Sequence, residues 1–111
     1  MKVSDYQTAV ERYRPDYVRF PEDSLVWATL ALTGEAGEVA EVVKKVARDD
    51  GGVLSPEKRD ALMLELGDVL WAITALANCL GITLEDVMQM NIDKLEDRYQ
   101  RGVLHGVGSN R

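Results

Sequence analysis

Hydrophobic residues recur along this chain at steps of three and four, and no stretch of useful length alternates between apolar and polar positions. That periodicity predicts an all-α chain with four helices. The first runs from about Ser4 to Arg14, with Ser4 as N-cap and Pro15 as stop. An irregular link, "PDYVRFPED", leads to a long second helix that starts near Ser24 and ends at "RDDGG", a strong stop signal. The third opens at "SPEKRD", with Ser55 as N-cap and Pro56 at the first helical position, and runs to Leu80-Gly81. The fourth opens at Thr83, with Asp86 three residues on as in a capping box, and fades near Arg101-Gly102. "VLHGVGSNR" is a glycine-rich tail. One domain is expected over residues 1–111, with a core of about 24–102 and the tail at 103–111.

The stripes within these helices say how they pack. In the third helix Leu62, Leu66, Val69, Ile73, Leu76 and Leu80 form a seam at alternating steps of four and three. Beside it runs a stripe of mostly small residues, Ala61, Glu65, Asp68, Ala72, Ala75 and Cys79. Met63, Leu64, Leu70 and Trp71 leave little of the circumference polar, and a helix apolar nearly all round is surrounded by protein. Four helices of one small chain hardly suffice to enclose it. The expectation is a four-helix, bundle-like subunit assembled into a homo-oligomer through this helix.

Composition narrows the function. Nineteen acidic against thirteen basic residues give a formal charge of −6, which disfavours nucleic acid and anionic membranes as partners. The same charge excludes a phosphate-bearing ligand unless a cation intervenes. A single cysteine, Cys79, in an apolar helical run points to a reducing, cytoplasmic location. The amino terminus lacks the apolar core of a signal peptide, and no apolar run is judged to approach the roughly 18 residues of a membrane span.

Against this background "TGEAGEVAEVVKK", Thr33 to Lys45, stands out. The second helix has its own seam, Ala28, Leu32, Glu35, Val39, Val42 and Val46, in which Glu35 takes a position that the pattern assigns to an apolar residue. Glu38 and Glu41 follow at steps of three. On the third helix Glu65 and Asp68 sit in the small-residue stripe. Side chains three apart on a helix point to nearly the same side, so each helix presents a carboxylate pair. Four partly buried carboxylates facing each other raise one another's pKa and are costly as bare anions. A hard divalent cation, Mg²⁺ or Mn²⁺, removes the difficulty. Gly34, Gly37 and Gly67 flank these acids, each at about 1 kcal/mol of helix stability relative to alanine. They leave room for close backbones or for a bulky substrate. Glu41 is expected to pair with Lys44 or Lys45, with a role as accessory ligand as the alternative. Glu-x-x-His pairs of the di-iron type are missing, the one histidine being His105 in the tail.

On the fourth helix Asn91, Lys94 and Arg98 share a face, and Asn91 lies on the apolar stripe Leu84, Met88, Asn91, Leu95, where partial burial of its amide is expected. Lys94 and Arg98 suit the non-bridging oxygens of a polyphosphate; ordinary pairing with Asp93, Glu96 or Asp97 is the alternative. Trp27 and Trp71 are expected in core or interface packing rather than stacked on a base.

With "GEAGEVAEVVKK", "ELGDVLWAITALANCLGI" and "NIDKLEDRYQRG" in order, residues 24 to 102 resemble the MazG-like nucleotide pyrophosphohydrolases of the all-α NTP pyrophosphatase superfamily, relatives of the all-α dUTPases and phosphoribosyl-ATP pyrophosphohydrolase. The family's E-x-x-E…E-x-x-D signature falls on Glu35, Glu38, Glu65 and Asp68, which the resemblance makes Mg²⁺ ligands, with Mn²⁺ able to substitute. Its Asn-x-x-Lys-x-x-x-Arg stretch falls on Asn91, Lys94 and Arg98. The resemblance implies a MazG fold, a homodimer or homotetramer, and hydrolysis of a nucleoside triphosphate, here a deoxynucleotide, to monophosphate and pyrophosphate. Glu38 or Glu35 would activate the water while Lys94 and Arg98 meet the phosphates. Narrower expectations are a dUTP or dCTP diphosphatase or an alarmone hydrolase; an expectation of another class is a non-catalytic nucleotide-binding helical oligomer.

Overall fold

The computed structural model describes residues 1–15 and 21–111, with backbone alone at 21–23. Most of the link "PDYVRFPED" therefore lies outside the described residues. Among the described residues there are four helices: α1 (Val3–Glu11), α2 (Pro21–Asp49), α3 (Pro56–Cys79) and α4 (Leu84–Gln100). No strand occurs among the described residues.

The long pair α2 and α3 runs antiparallel and forms the body of the molecule. The turn between them follows from "DDGGVLSP". Gly51 and Gly52 take φ of +62° and +76°, where L side chains are strained, and the Gly52 N–H closes on the Val46 carbonyl at 3.1 Å. Ser55 then caps α3, its Oγ accepting from Lys58 N–H at 3.2 Å, with Pro56 next in line. Thr83 caps α4 in the same way through Asp86 N–H at 3.1 Å.

Two starts differ from expectation. The first helix begins at Val3, one residue before Ser4, after an N-cap Lys2 that contributes no side-chain bond, and it ends at Glu11 rather than Arg14. Its position is fixed by tertiary contacts, which outweigh a missing cap. The second helix begins at Pro21, not near Ser24; proline's fixed φ and lacking N–H suit the first turn.

Small residues set the α2–α3 distance. Ala28 and Ala72 are fully buried, Ala75 nearly so, and the stripe expected on α3 does face α2. Trp27 and Trp71 close one end as an edge-to-face pair with ring centroids 5.3 Å apart, in the packing role expected of them. α1 lies over this end with Val10 buried against Ala28 and Ala75.

α1, α3 and the start of α4 are joined by one glutamine. The Gln7 amide donates to Asn78 Oδ1 at 2.8 Å and to the Ile82 carbonyl at 2.9 Å, while its oxygen accepts the Leu84 N–H at 2.8 Å. Asn78 answers by donating to the Gln7 carbonyl at 3.3 Å. This network holds the α3–α4 corner, where Gly81 at φ +67° turns the chain.

Much apolar surface is left bare. Met63, Leu64, Leu66 and Leu70 on α3 and Met88, Met90, Ile92 and Leu95 on α4 are exposed. Asn91 is exposed too, contrary to its expected partial burial; among the described residues α4 makes no contact with α2 that could cover it. The radius of gyration is 17.0 Å, against about 13 Å for a compact chain of this length. α3 also corrects an expectation about membranes: its 24 residues, with mean hydropathy 1.4 in the best window, are long and apolar enough to cross one. Its acids Glu65 and Asp68 and its packing on α2 belong instead to a helix made for helix contacts.

Replacing Gln7 by alanine removes three hydrogen bonds and strands the Leu84 N–H, so the variant is expected to lose about 1–3 kcal/mol in urea unfolding at unchanged helix content.

Candidate active site

The antiparallel register that pairs Ala28 with Ala75 also decides what faces Glu35. Going up α2 by two turns and down α3 by the same distance brings Glu35 opposite Glu65 and Asp68. One carboxylate oxygen from each of the three lies within 4.8 Å of the others. Glu35 and Glu65 are half-buried and Asp68 is exposed, so the cluster opens outward from the helix contact.

The electrostatic consequence falls on Glu35. Partial burial, then the charges of Asp68, Glu65 and Glu38 in that order, push its pKa above the usual carboxylate value. Among the described residues no lysine or arginine pairs with any of these acids. Three hard oxygen donors that converge without a neighbouring cation fit a divalent metal ion, and the chemistry of the donor set suits Mg²⁺ or Mn²⁺.

The other residues singled out by the sequence sit as follows. Glu38 is exposed and outside the trio, yet close enough to raise the proton affinity of Glu35. Glu41 turns away and binds Lys44 Nζ at 2.7 Å, which lowers its pKa, as expected of it. Asn91 and Lys94, with Val87 and Met90, line an open depression of about 400 Å³ on α4. Arg98 is 7% exposed and donates from Nη2 to the Ser109 carbonyl at 2.6 Å, under the folded-back tail. The acids expected as alternative partners of these cations are otherwise engaged: Asp93 by Gln89, Glu96 by Gln100 and Asp97 by Arg101. Among the described residues neither Lys94 nor Arg98 forms an ion pair with an acid of the trio, and α4 makes no contact with α2.

One neighbour escapes sequence reasoning. Tyr6 of α1 packs on the core beside Trp71, and burial together with the charge of Asp68 raises its pKa. Nothing in the pattern of α1 signals this, because the contact spans more than sixty positions of sequence.

Gly34, Gly37 and Gly67 flank the cluster in open space: a Cβ at any of them would meet no atom within 4 Å. Close helix approach therefore does not explain them within the single chain.

The raised pKa of Glu35 has a sign that can be checked. The folded chain keeps this proton to higher pH than the unfolded chain does, so stability falls as pH rises from about 4.5 through the raised value. In metal-free buffer the melting temperature of Glu35→Gln is expected to exceed that of the parent by a margin that grows over this range and then levels off. Near neutral pH, added Mg²⁺ raises the parent's melting temperature and leaves the variant's unmoved. Scanning calorimetry reads both; a margin independent of pH would put the strain elsewhere.

Comparison with known proteins gives three relatives and a family. The family model described as the MazG nucleotide pyrophosphohydrolase domain matches residues 26–103. The Gene 37 protein of Mycobacterium phage L5 is 49% identical over 89 residues, covering 80% of this chain and 78% of that protein. The uncharacterized protein YvdC of Bacillus subtilis (strain 168) is 36% identical over 74 residues, covering 62% and 70%. The dCTP pyrophosphatase 1 of Bos taurus is 36% identical over 72 residues, covering 63% of this chain but 43% of its own length. No solved structure matches significantly.

Proposed function

Because the chain belongs to the MazG nucleotide pyrophosphohydrolase family, we propose that it hydrolyses a nucleoside triphosphate, a deoxynucleotide in particular, to the monophosphate and pyrophosphate. The observation that carries this reading is the convergence of Glu35, Glu65 and Asp68 within 4.8 Å on the α2–α3 face. Glu35, Glu65 and Asp68, with Glu38 at the edge, would hold Mg²⁺, with Mn²⁺ able to substitute. When bound, the ion neutralises the triphosphate against the acidic wall and supplies Lewis-acid polarisation of a phosphoryl oxygen.

The chain's own residues do the rest. Glu38, exposed and outside the trio, is the carboxylate free to orient a water and accept its proton. Glu35 is the other acid that would take that proton. The water attacks the α-phosphorus, and the pyrophosphate departs with the electrons of the α–β bridging bond. Asn91, Lys94 and Arg98 would bind phosphate oxygens, the two cations stabilising the charge that develops there.

Assembly as a homodimer or homotetramer is part of the proposal. The accessible surface, 8271 Å², exceeds the roughly 6,100 Å² of a compact monomer of this mass. The excess is on the scale of an obligate subunit contact. A cytoplasmic location, without nucleic acid or membrane as partner, fits the acidic charge. A narrower reading, dCTP as substrate, is favoured by the similarity to bovine dCTP pyrophosphatase 1.

A panel of ribo- and deoxynucleoside triphosphates with Mg²⁺ tests the proposal. Pyrophosphate, not orthophosphate, is the expected product, and Glu35→Gln or Asp68→Asn should each lower turnover at least ~100-fold with helical content intact. No product from any nucleotide would leave the non-catalytic binding oligomer as the reading. If one nucleotide, dCTP included, dominates the panel, the narrow reading stands.

The glycines offer a second check. Gly37→Ala is expected to stabilise the fold by about 1 kcal/mol, since the methyl meets nothing in the chain. If the space is kept for substrate, the same variant raises KM. Denaturant melts and initial rates separate the two effects.

A further inference from the structure

Arg98 is placed unlike any other cation among the described residues. It lies in the last turn of α4, is almost fully buried, and forms no ion pair among the described residues. Its hydrogen bond goes to a neutral acceptor, the Ser109 carbonyl, at 2.6 Å. A buried guanidinium facing only a carbonyl is under-compensated, because burying a charge is unfavourable unless an opposite charge answers it. Phosphate oxygens are the stronger partner for the planar guanidinium, which can grip two of them at once.

The segment that covers Arg98 is held lightly. It turns back through Gly102 at φ +71°, with the Val103 N–H bonded to the Arg98 carbonyl at 2.9 Å. Val103 and Leu104 are half-buried, but beyond them no apolar side chain anchors the segment, and Val107 is 98% exposed. Arg111 folds it on itself, donating to the Gly108 carbonyl at 2.7 Å and the Leu104 carbonyl at 3.1 Å and lying over Gly106, while Arg101 Nη2 at the end of α4 donates to the Arg111 carbonyl at 2.9 Å. The Arg111 Nε is buried without a partner, so even this clasp is incompletely satisfied. A segment fixed by a few hydrogen bonds and little apolar burial opens at low free energy.

We propose that residues 103–111 are a latch in which the Ser109 carbonyl stands in for a phosphate oxygen on Arg98, and that a polyphosphate ligand displaces it. The inference rests on the proposed function insofar as it takes the ligand to be the phosphate chain of the substrate. It adds a regulatory element to that reading: binding exchanges a neutral acceptor for an anionic one and releases the tail. Arg98 is then concealed in the resting chain and delivered only to a ligand that can outcompete Ser109.

Inorganic pyrophosphate with Mg²⁺ is the probe, and the full chain is used throughout. Arg111→Ala removes the clasp, and Gly106→Val sets a side chain where a Cβ would lie 2.7 Å from Arg111 Cδ. Both changes lie outside the helices, and circular dichroism checks that the helices persist. In both variants, modification of Arg98 by phenylglyoxal, read by peptide mass spectrometry, is expected to speed up at least fivefold. Calorimetry should show pyrophosphate binding three- to tenfold more tightly than to the parent, and Arg98→Lys in the Arg111→Ala background should cancel the gain. In the parent, saturating pyrophosphate should increase hydrogen exchange over 103–111. Unchanged Arg98 reactivity, weaker binding by the variants, no binding at all, or added protection of the tail would each overturn the latch. A parent that hydrolyses no triphosphate but releases its tail to pyrophosphate would refute the enzymatic reading and keep the latch; turnover with a tail that stays protected would do the reverse.

Discussion

Glu35 on α2 faces Glu65 and Asp68 on α3 across a contact that alanines keep narrow, and the resulting repulsion constrains the structure around it. The two helices cannot separate without exposing Ala28, Ala72 and the tryptophan pair, and they cannot stay together without holding the acids close. The conflict is local: Trp27, Trp71 and Val10 close one end of the helix pair, while the acids lie two turns further along, where the contact opens toward solvent. Stability is gathered at one end and electrostatic strain near the middle of the pair. That division is typical of a functional site supported by packing beyond it.

The same economy explains how little is buried. Among the described residues seven hydrophobic ones form the core, four of them alanine. Alanine lets backbones approach but contributes little transfer free energy, so the hairpin gains register and closeness more than hydrophobic stabilisation. The larger side chains that could supply it, Met63, Leu64 and Leu66 on α3 and Met90 and Ile92 on α4, face outward. A chain built this way is organised around its acidic face and keeps large apolar side chains on its surface.

Most of this fold was legible in the sequence. The periodicity, Ser55-Pro56, Thr83 and the glycine stops define α3 and α4 to within a residue or two, because each boundary is made by local chemistry. α1 and the start of α2 were less legible: the first lacks a capping side chain and is held by Gln7 and Val10 through contacts remote in sequence. The acidic trio was readable because intrusion of Glu35 into an apolar seam is a pattern violation with a short-range signature. The exposure of Asn91 was not, since a stripe on a helix does not state whether its partner belongs to the same chain. Nor were the neighbour Tyr6 and the buried state of Arg98, both products of tertiary placement alone.

Acidic and basic groups thus occupy separate parts of the chain, and each part is unbalanced. Among the described residues Glu35, Glu65 and Asp68 lack a cation, and Arg98 and Lys94 lack an anion, although one chain carries both. Had they paired with one another, both deficits would vanish and so would any need for a ligand. The Gln7-braced corner is where α4 leaves the hairpin, and among the described residues α4 makes no contact with α2. A divalent cation alone would settle the first deficit and a phosphate alone the second. A metal–polyphosphate complex carries both signs in one molecule, and under the proposed reading it is the one ligand class that relieves the two together. This also reconciles a chain of charge −6 with a polyanionic substrate: the attraction is local and two-signed, so the net charge does not decide it.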